Sequence, residues 1–192
     1  MRRPGRSRTL AATAAACLLL AGPMLAGCTN DQSQAQPAAS TSAATTKPTP
    51  LQDPTPEPPT LPLAAKGSSV ASVKAFVHRY IDLLNHAMVT GDTERLRAAA
   101  RNCEGCDNYA DLYEERYAAG GYIRSRGWHV KHLLVTQTPD TWYALLDIHS
   151  ARLKFARNDT AEPRTYSPDN YELRFQLAPK GATWAVLDFR GD

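Results

Sequence analysis

The chain has little charge imbalance, few cysteines and no long apolar run, and each shortage closes off a class of function. Its 22 Lys plus Arg against 19 Asp plus Glu is too even a balance to mark a nucleic-acid binder. Even that small excess sits in Arg2, Arg3, Arg6 and Arg8; from residue 28 onward, 18 cationic side chains face 19 anionic ones. The longest apolar stretch, Leu10 to about Leu20, is too short to span a bilayer comfortably. Residues 28–66 contain no aromatic side chain, so that segment cannot bury enough surface to offset its ordering entropy. Ser-His-Asp spacing, a Gly-rich phosphate loop and a His-Glu-x-x-His helix are all missing, which removes the main motif-bearing hydrolase and nucleotide chemistries.

What is present begins with an address. A basic start, a short Leu/Ala core and the ending Leu25-Ala26-Gly27-Cys28 predict residues 1–27 to be the signal peptide of an exported bacterial lipoprotein. Cleavage before Cys28 discards Cys17 and leaves Cys28 to carry a diacylglycerol thioether and an amide-linked acyl chain. Two or more chains hold a protein stably where one does not. The expected location is therefore the extracytoplasmic face of the cell membrane, with the membrane itself as first partner. Residues 28–66 are expected to be a disordered Ser/Thr/Pro-rich tether, with prolines at 37, 48, 50, 54, 56, 58, 59 and 62. Its Pro-dense part favours extended polyproline geometry, at about 3.1 Å per residue.

Residues 67–192 form one domain's worth of chain. Between Ser69 and Val89 the apolar positions Val73, Phe76, Val77, Tyr80, Leu83, Leu84 and Ala87 recur at helical spacing, with a serine cap and Gly91 as stop. Asp92 is expected to cap a short helix through Leu96 to Ala100. A third helix is predicted from Asp107 through Tyr109, Leu112, Tyr113, Arg116 and Tyr117 to the Gly120-Gly121 stop. Four strands follow: Trp128 to Thr136, Thr141 to about Phe155, Tyr171 to Leu177 and Thr183 to Phe189. The third alternates strictly, Tyr171, Leu173, Phe175 and Leu177 against Glu172, Arg174 and Gln176. Thr138-Pro139-Asp140 and Pro179-Lys180-Gly181 mark hairpin turns, and Arg157 to Pro168 reads as a long loop. The fold class is α+β, with N-terminal helices on a curved four-stranded antiparallel sheet of cone-like shape.

Phe76 to Gly91, Asp92-Thr93-Glu94-Arg95-Leu96, Cys103-Glu104-Gly105-Cys106, Tyr117-Ala118-Ala119-Gly120-Gly121 and Trp128-His129-Val130 together resemble a family of actinobacterial lipoproteins of unknown function. The Gly-Asp pair opening a short helix after a long one is also similar to the wider SnoaL-like and ketosteroid-isomerase-like cone fold. The resemblance covers about Val70 to Val130. It implies a fold and a compartment, and no activity.

Three chemistries compete for Cys103 and Cys106. A zinc site would need His129 and His132 as further ligands, and nothing in the spacing places them nearby. Thiol-disulfide catalysis needs a stabilised thiolate, which Glu104 and Asp107 disfavour. A structural disulfide suits an exported protein, so neither metal nor cofactor is expected. On the second strand Asp147 and His149 share a face and are the candidate catalytic pair, with Tyr80 and Tyr117 as candidate ligand-binding hydroxyls. The alternating apolar residues make a solvated strand face the favoured reading of that pair. The leading expectation is a non-catalytic module binding a small ligand, a cell-wall component or another envelope protein. The alternative is a cone-fold envelope enzyme with isomerase- or cyclase-like acid/base chemistry.

Overall fold

A computed structural model describes residues 56–191. The expected signal peptide, the lipidation site Cys28 and most of the expected tether lie outside the described residues. The described chain opens with a 3-10 turn over Leu63–Ala65, inside the segment expected to be tether. Ala65 is fully buried and Leu61 packs against the core. The Thr183 hydroxyl donates to the Ala65 carbonyl at 3.0 Å, and the Gly67 amide to the Ala182 carbonyl at 3.0 Å. The folded domain thus begins before Gly67, because these few apolar residues find a surface that composition cannot reveal.

Helix α1, Val70–Thr90, starts on a reciprocal serine cap: each of the Ser69 and Ser72 hydroxyls accepts from the other's amide at 3.1 Å. Its expected apolar stripe is buried throughout. Gly91 ends it at φ +77, and a Cβ there would lie 2.7 Å from the Tyr117 ring, so conformation and crowding both demand glycine. Helix α2 is Glu94–Ala98. Asp92 assists its start as expected, its carboxylate accepting from the Glu94 amide at 3.1 Å.

Helix α3, Glu104–Ala118, begins three residues earlier than the periodicity suggests. Cys103 caps it, its sulfur accepting from the Cys106 amide at 3.2 Å, so the Cys pair forms the first turn rather than a linking loop. Glu104 and Asp107 then sit at the positive end of the helix dipole. Gly105 lets that turn lie directly on the carbonyl of Phe189, which a Cβ would strike.

The strands are β1 (Gly120–Ser125), β2 (Trp128–Gln137), β3 (Trp142–Ser150), β4 (Leu153–Asn158), β5 (Arg164–Tyr166), β6 (Asp169–Lys180) and β7 (Thr183–Gly191). They make two antiparallel sheets, ordered β2-β3-β6-β7 and β1-β4-β5. The four-stranded sheet is the expected one, with both expected hairpin turns. Register shifts between Val130 and His132 and between Gln176 and Leu177 interrupt its ladders, as bulges that bend a sheet do. Trp142, Ala144, Leu146 and Ile148 of β3, with Leu173, Phe175 and Leu177 of β6, are buried on one side of this sheet. Tyr80 of α1 meets Phe175 edge-on at 5.4 Å, and the Trp184 indole donates to the Ser72 hydroxyl at 3.2 Å.

The three-stranded sheet is a correction to the expected architecture. The strand expected to run from Thr141 to Phe155 breaks at Ala151-Arg152, where the Ala151 amide donates to the Gly127 carbonyl at 2.9 Å. Beyond the break, β4 leaves the first sheet and pairs with β1, Ile123 opposite Phe155. The residues expected to close α3, Gly120 and Gly121, instead start β1. Within the expected loop, β5 pairs Arg164 with Phe155 and Tyr166 with Leu153. Among the described residues no helix is long and apolar enough to cross a membrane.

Candidate functional site

Where α3 crosses the seam between the two sheets, the chain leaves a cavity of about 610 Å³, a size usual for small-molecule sites. The helix supplies Tyr109, Leu112, Tyr113 and Arg116, a set at three- and four-residue spacing that forms one stripe of its surface. Ile123 and Ser125 come from β1, and Leu153 and Phe155 from β4, each pair two residues apart and so on one strand face. Trp128, Ile148 and Tyr171 come from the larger sheet, where Ile148 and Tyr171 are cross-strand partners, and Tyr166 comes from β5. These two tyrosines and Leu112 are 55%, 43% and 44% exposed, an apolar rim open to solvent. The second sheet, invisible in the sequence pattern, therefore supplies Ile123, Ser125, Leu153, Phe155 and Tyr166 to the cavity wall.

Ring contacts hold the wall in place. Tyr109 stacks on Phe189 at 4.9 Å and meets Trp128 edge-on at 5.7 Å, while Phe155 stacks on Tyr166 at 5.6 Å. The Arg116 guanidinium carbon lies 4.3 Å from the centre of the Phe155 ring, within cation–π range. Burial, and then repulsion from Arg157, lowers the Arg116 pKa from its ordinary value; the group stays protonated at any physiological pH. Burial raises the Tyr113 phenol well above the usual range, and that of Tyr109 in the same direction, with neighbouring tyrosines adding to both. Both hydroxyls are therefore neutral groups able to donate. The lining contains no carboxylate, imidazole, amine or thiol. Such a surface can bind and orient a ligand, and it holds no base to remove a proton.

The residues proposed from sequence lie elsewhere. Asp147 is exposed on the face of β3 opposite Ile148 and stands across from His132 and Glu172. His149 Nδ1 lies 3.0 Å from Asn170 Oδ1. Neither lines the cavity: strand alternation sends odd-numbered β3 side chains outward and even-numbered ones into the core. Tyr80 is fully buried in the core and not in the cavity wall. The Tyr117 hydroxyl accepts from the Ile123 amide at 3.2 Å and donates to the Met88 carbonyl at 3.1 Å, clamping α1 and α3 to β1. Cys103 and Cys106 are joined by a disulfide. His129 and His132 are exposed on β2, and among the described residues no three metal-ligating side chains converge.

Arg116, Tyr109, Tyr113, Trp128, Phe155, Tyr166 and Tyr171 are the site residues that sequence reasoning did not single out. One signal was legible: Arg116 falls on the apolar stripe of the third helix, where a charge is out of place unless something needs it.

A model described as a family of unknown function (DUF6318) matches residues 34–189 of the chain. No curated protein matches it. Similar solved structures include the intermembrane-space region of the chloroplast protein ARC6, at 8% identity and TM-score 0.47, covering 65% of this chain and 97% of that one. A putative aromatic ring hydroxylase from Novosphingobium aromaticivorans is similar at 10% identity and TM-score 0.46, covering 65% and 91%. An NTF2-like superfamily protein from Salmonella enterica follows at 9% and 0.43, covering 65% and 92%. No role passes to this chain from likenesses of that size.

Proposed function

The chain belongs to the DUF6318 family, whose function is unknown, and from its own cavity we propose that it is a non-catalytic ligand-binding domain, lipid-anchored at Cys28 on the extracytoplasmic face of the cell membrane. The observation that carries the binding role is the cavity of about 610 Å³, walled mainly by aromatic and aliphatic side chains, with tyrosine and serine hydroxyls and one arginine as its polar groups. A small, largely apolar molecule is the ligand such a wall accepts. The enzyme alternative rested on Asp147 and His149 and loses its support with their outward placement. Anchoring is supported by Leu25-Ala26-Gly27-Cys28 behind a basic and apolar leader.

The test of binding uses the chain from residue 28 onward with Cys28→Ser, which dispenses with detergent. We expect the neutral apolar dye N-phenyl-1-naphthylamine to bind one site with blue-shifted emission. Ser125→Trp should fill the cavity and weaken that binding at least tenfold, with far-UV circular dichroism showing that the variant is folded. Absence of saturable binding, or binding indifferent to Ser125→Trp, would overturn the assignment.

A further inference from the structure

We infer that the ligand carries an oxyanion, a carboxylate, sulfonate or phosphate, which pairs with Arg116 while its apolar body fills the aromatic cavity. The inference rests on the cavity being a ligand site and specifies what enters it.

Arg116 is the only charged side chain among the lining residues. Its Nε is buried and has no hydrogen-bond partner among the described residues, and none of the ion pairs there includes it. Burial, and then repulsion from the Arg157 cation, disfavours its charged form. Arg79, outside this cavity, also has a buried Nε without a partner among the described residues, so the cavity around Arg116 and not the unpaired Nε alone marks it. Arg97 is the contrasting case. It reaches Asp107, Asp111 and Glu114 at 3.4, 2.6 and 2.9 Å. The Arg116 guanidinium carbon instead lies 4.3 Å from the centre of the Phe155 ring, a contact that uses none of its hydrogen-bond donors. A partly buried cation without a counter-charge loses hydration that nothing replaces, and a planar fork of donors fits a carboxylate, sulfonate or phosphate two bonds at a time. The neutral phenols of Tyr109 and Tyr113 on the same helix stripe repel no such anion. A neutral apolar ligand would leave Arg116 as unpaired as before, so the anion is the part of the ligand that this residue selects.

Two dyes with the same ring skeleton separate this inference from the one beneath it. We expect 8-anilinonaphthalene-1-sulfonate to bind the chain from residue 28 onward, with Cys28→Ser, about tenfold tighter than neutral N-phenyl-1-naphthylamine, the size of one charge-assisted hydrogen bond. Arg116→Leu should erase the difference by weakening the sulfonate alone, and Arg116→Lys should restore part of it. Equal affinity of the two dyes in the parent protein, or sulfonate binding untouched by Arg116→Leu, would overturn the anion and leave the apolar site standing. Failure of both dyes in the parent would remove the site itself. The parent comparison needs no substitution, so it decides even if Arg116→Leu does not fold.

Discussion

Tyr80 is buried in the core and Arg116 is half-buried at the cavity, and the two carry different consequences. The Tyr80 ring is packed against Phe175 and tilted on Phe76, while its buried hydroxyl has no partner among the described residues. An unpaired buried hydroxyl costs more than it contributes. Tyr80→Phe should therefore raise stability at neutral pH by about 1 kcal/mol in urea denaturation. The same substitution tests a pH effect. Burial raises the phenol pKa of Tyr80 first, with Asp107 and Tyr113 adding to it. A raised folded-state value means that the contribution is intact below the unfolded tyrosine pKa of about 10. Stability then falls as pH rises from there towards the folded value, because the unfolded chain releases its protons first. The parent protein should lose stability above about pH 10, and Tyr80→Phe should make that fall shallower. A destabilised Tyr80→Phe would show that the hydroxyl is paired after all, and an unchanged alkaline limb would show that its pKa is not raised in the folded state.

At the scale of elements, the decisive one is α3, which joins the Cys103–Cys106 disulfide at its start to the cavity stripe along its length. Closing so small a loop contributes about 2 kcal/mol by the chain-entropy estimate. Reduction should lower stability by that amount and speed amide exchange in the first turn of α3. Exchange there that ignores reductant would mean that Cys103 caps the helix equally well as a thiol. The sequence made α1 and β6 legible, since each buries one face against an extended partner and so keeps a clean period. It hid β1, β4 and β5 for a physical reason. β1 opens on two glycines and β5 is three residues long, so neither carries a pattern of its own. β4 continues β3 in composition, and only its partner shows that it has changed sheets. The site was half hidden for the same reason, because Phe155 and Tyr166 become a wall only when β1, β4 and β5 pair.

At the scale of the whole molecule, the proposed role of the residues that precede the folded domain is delivery to a membrane. If the address is right, mass spectrometry of protein extracted from membranes of the producing cell should find Cys28 as first residue, carrying a diacylglycerol thioether and an amide-linked acyl chain. An intact leader or an unmodified first residue would refute it. The sequence by itself determined the fold class, the first helix, the four-stranded sheet and its turns, because those depend on local periodicity and turn chemistry. It also carried the out-of-place arginine on the third helix. Only the tertiary structure decided that Asp147 and His149 face outward, that Leu61–Ala65 belongs to the folded domain, and that Arg116 stands unpaired in an aromatic cavity. Which face of a strand meets which partner is a long-range outcome, settled by how the second sheet closes against α3.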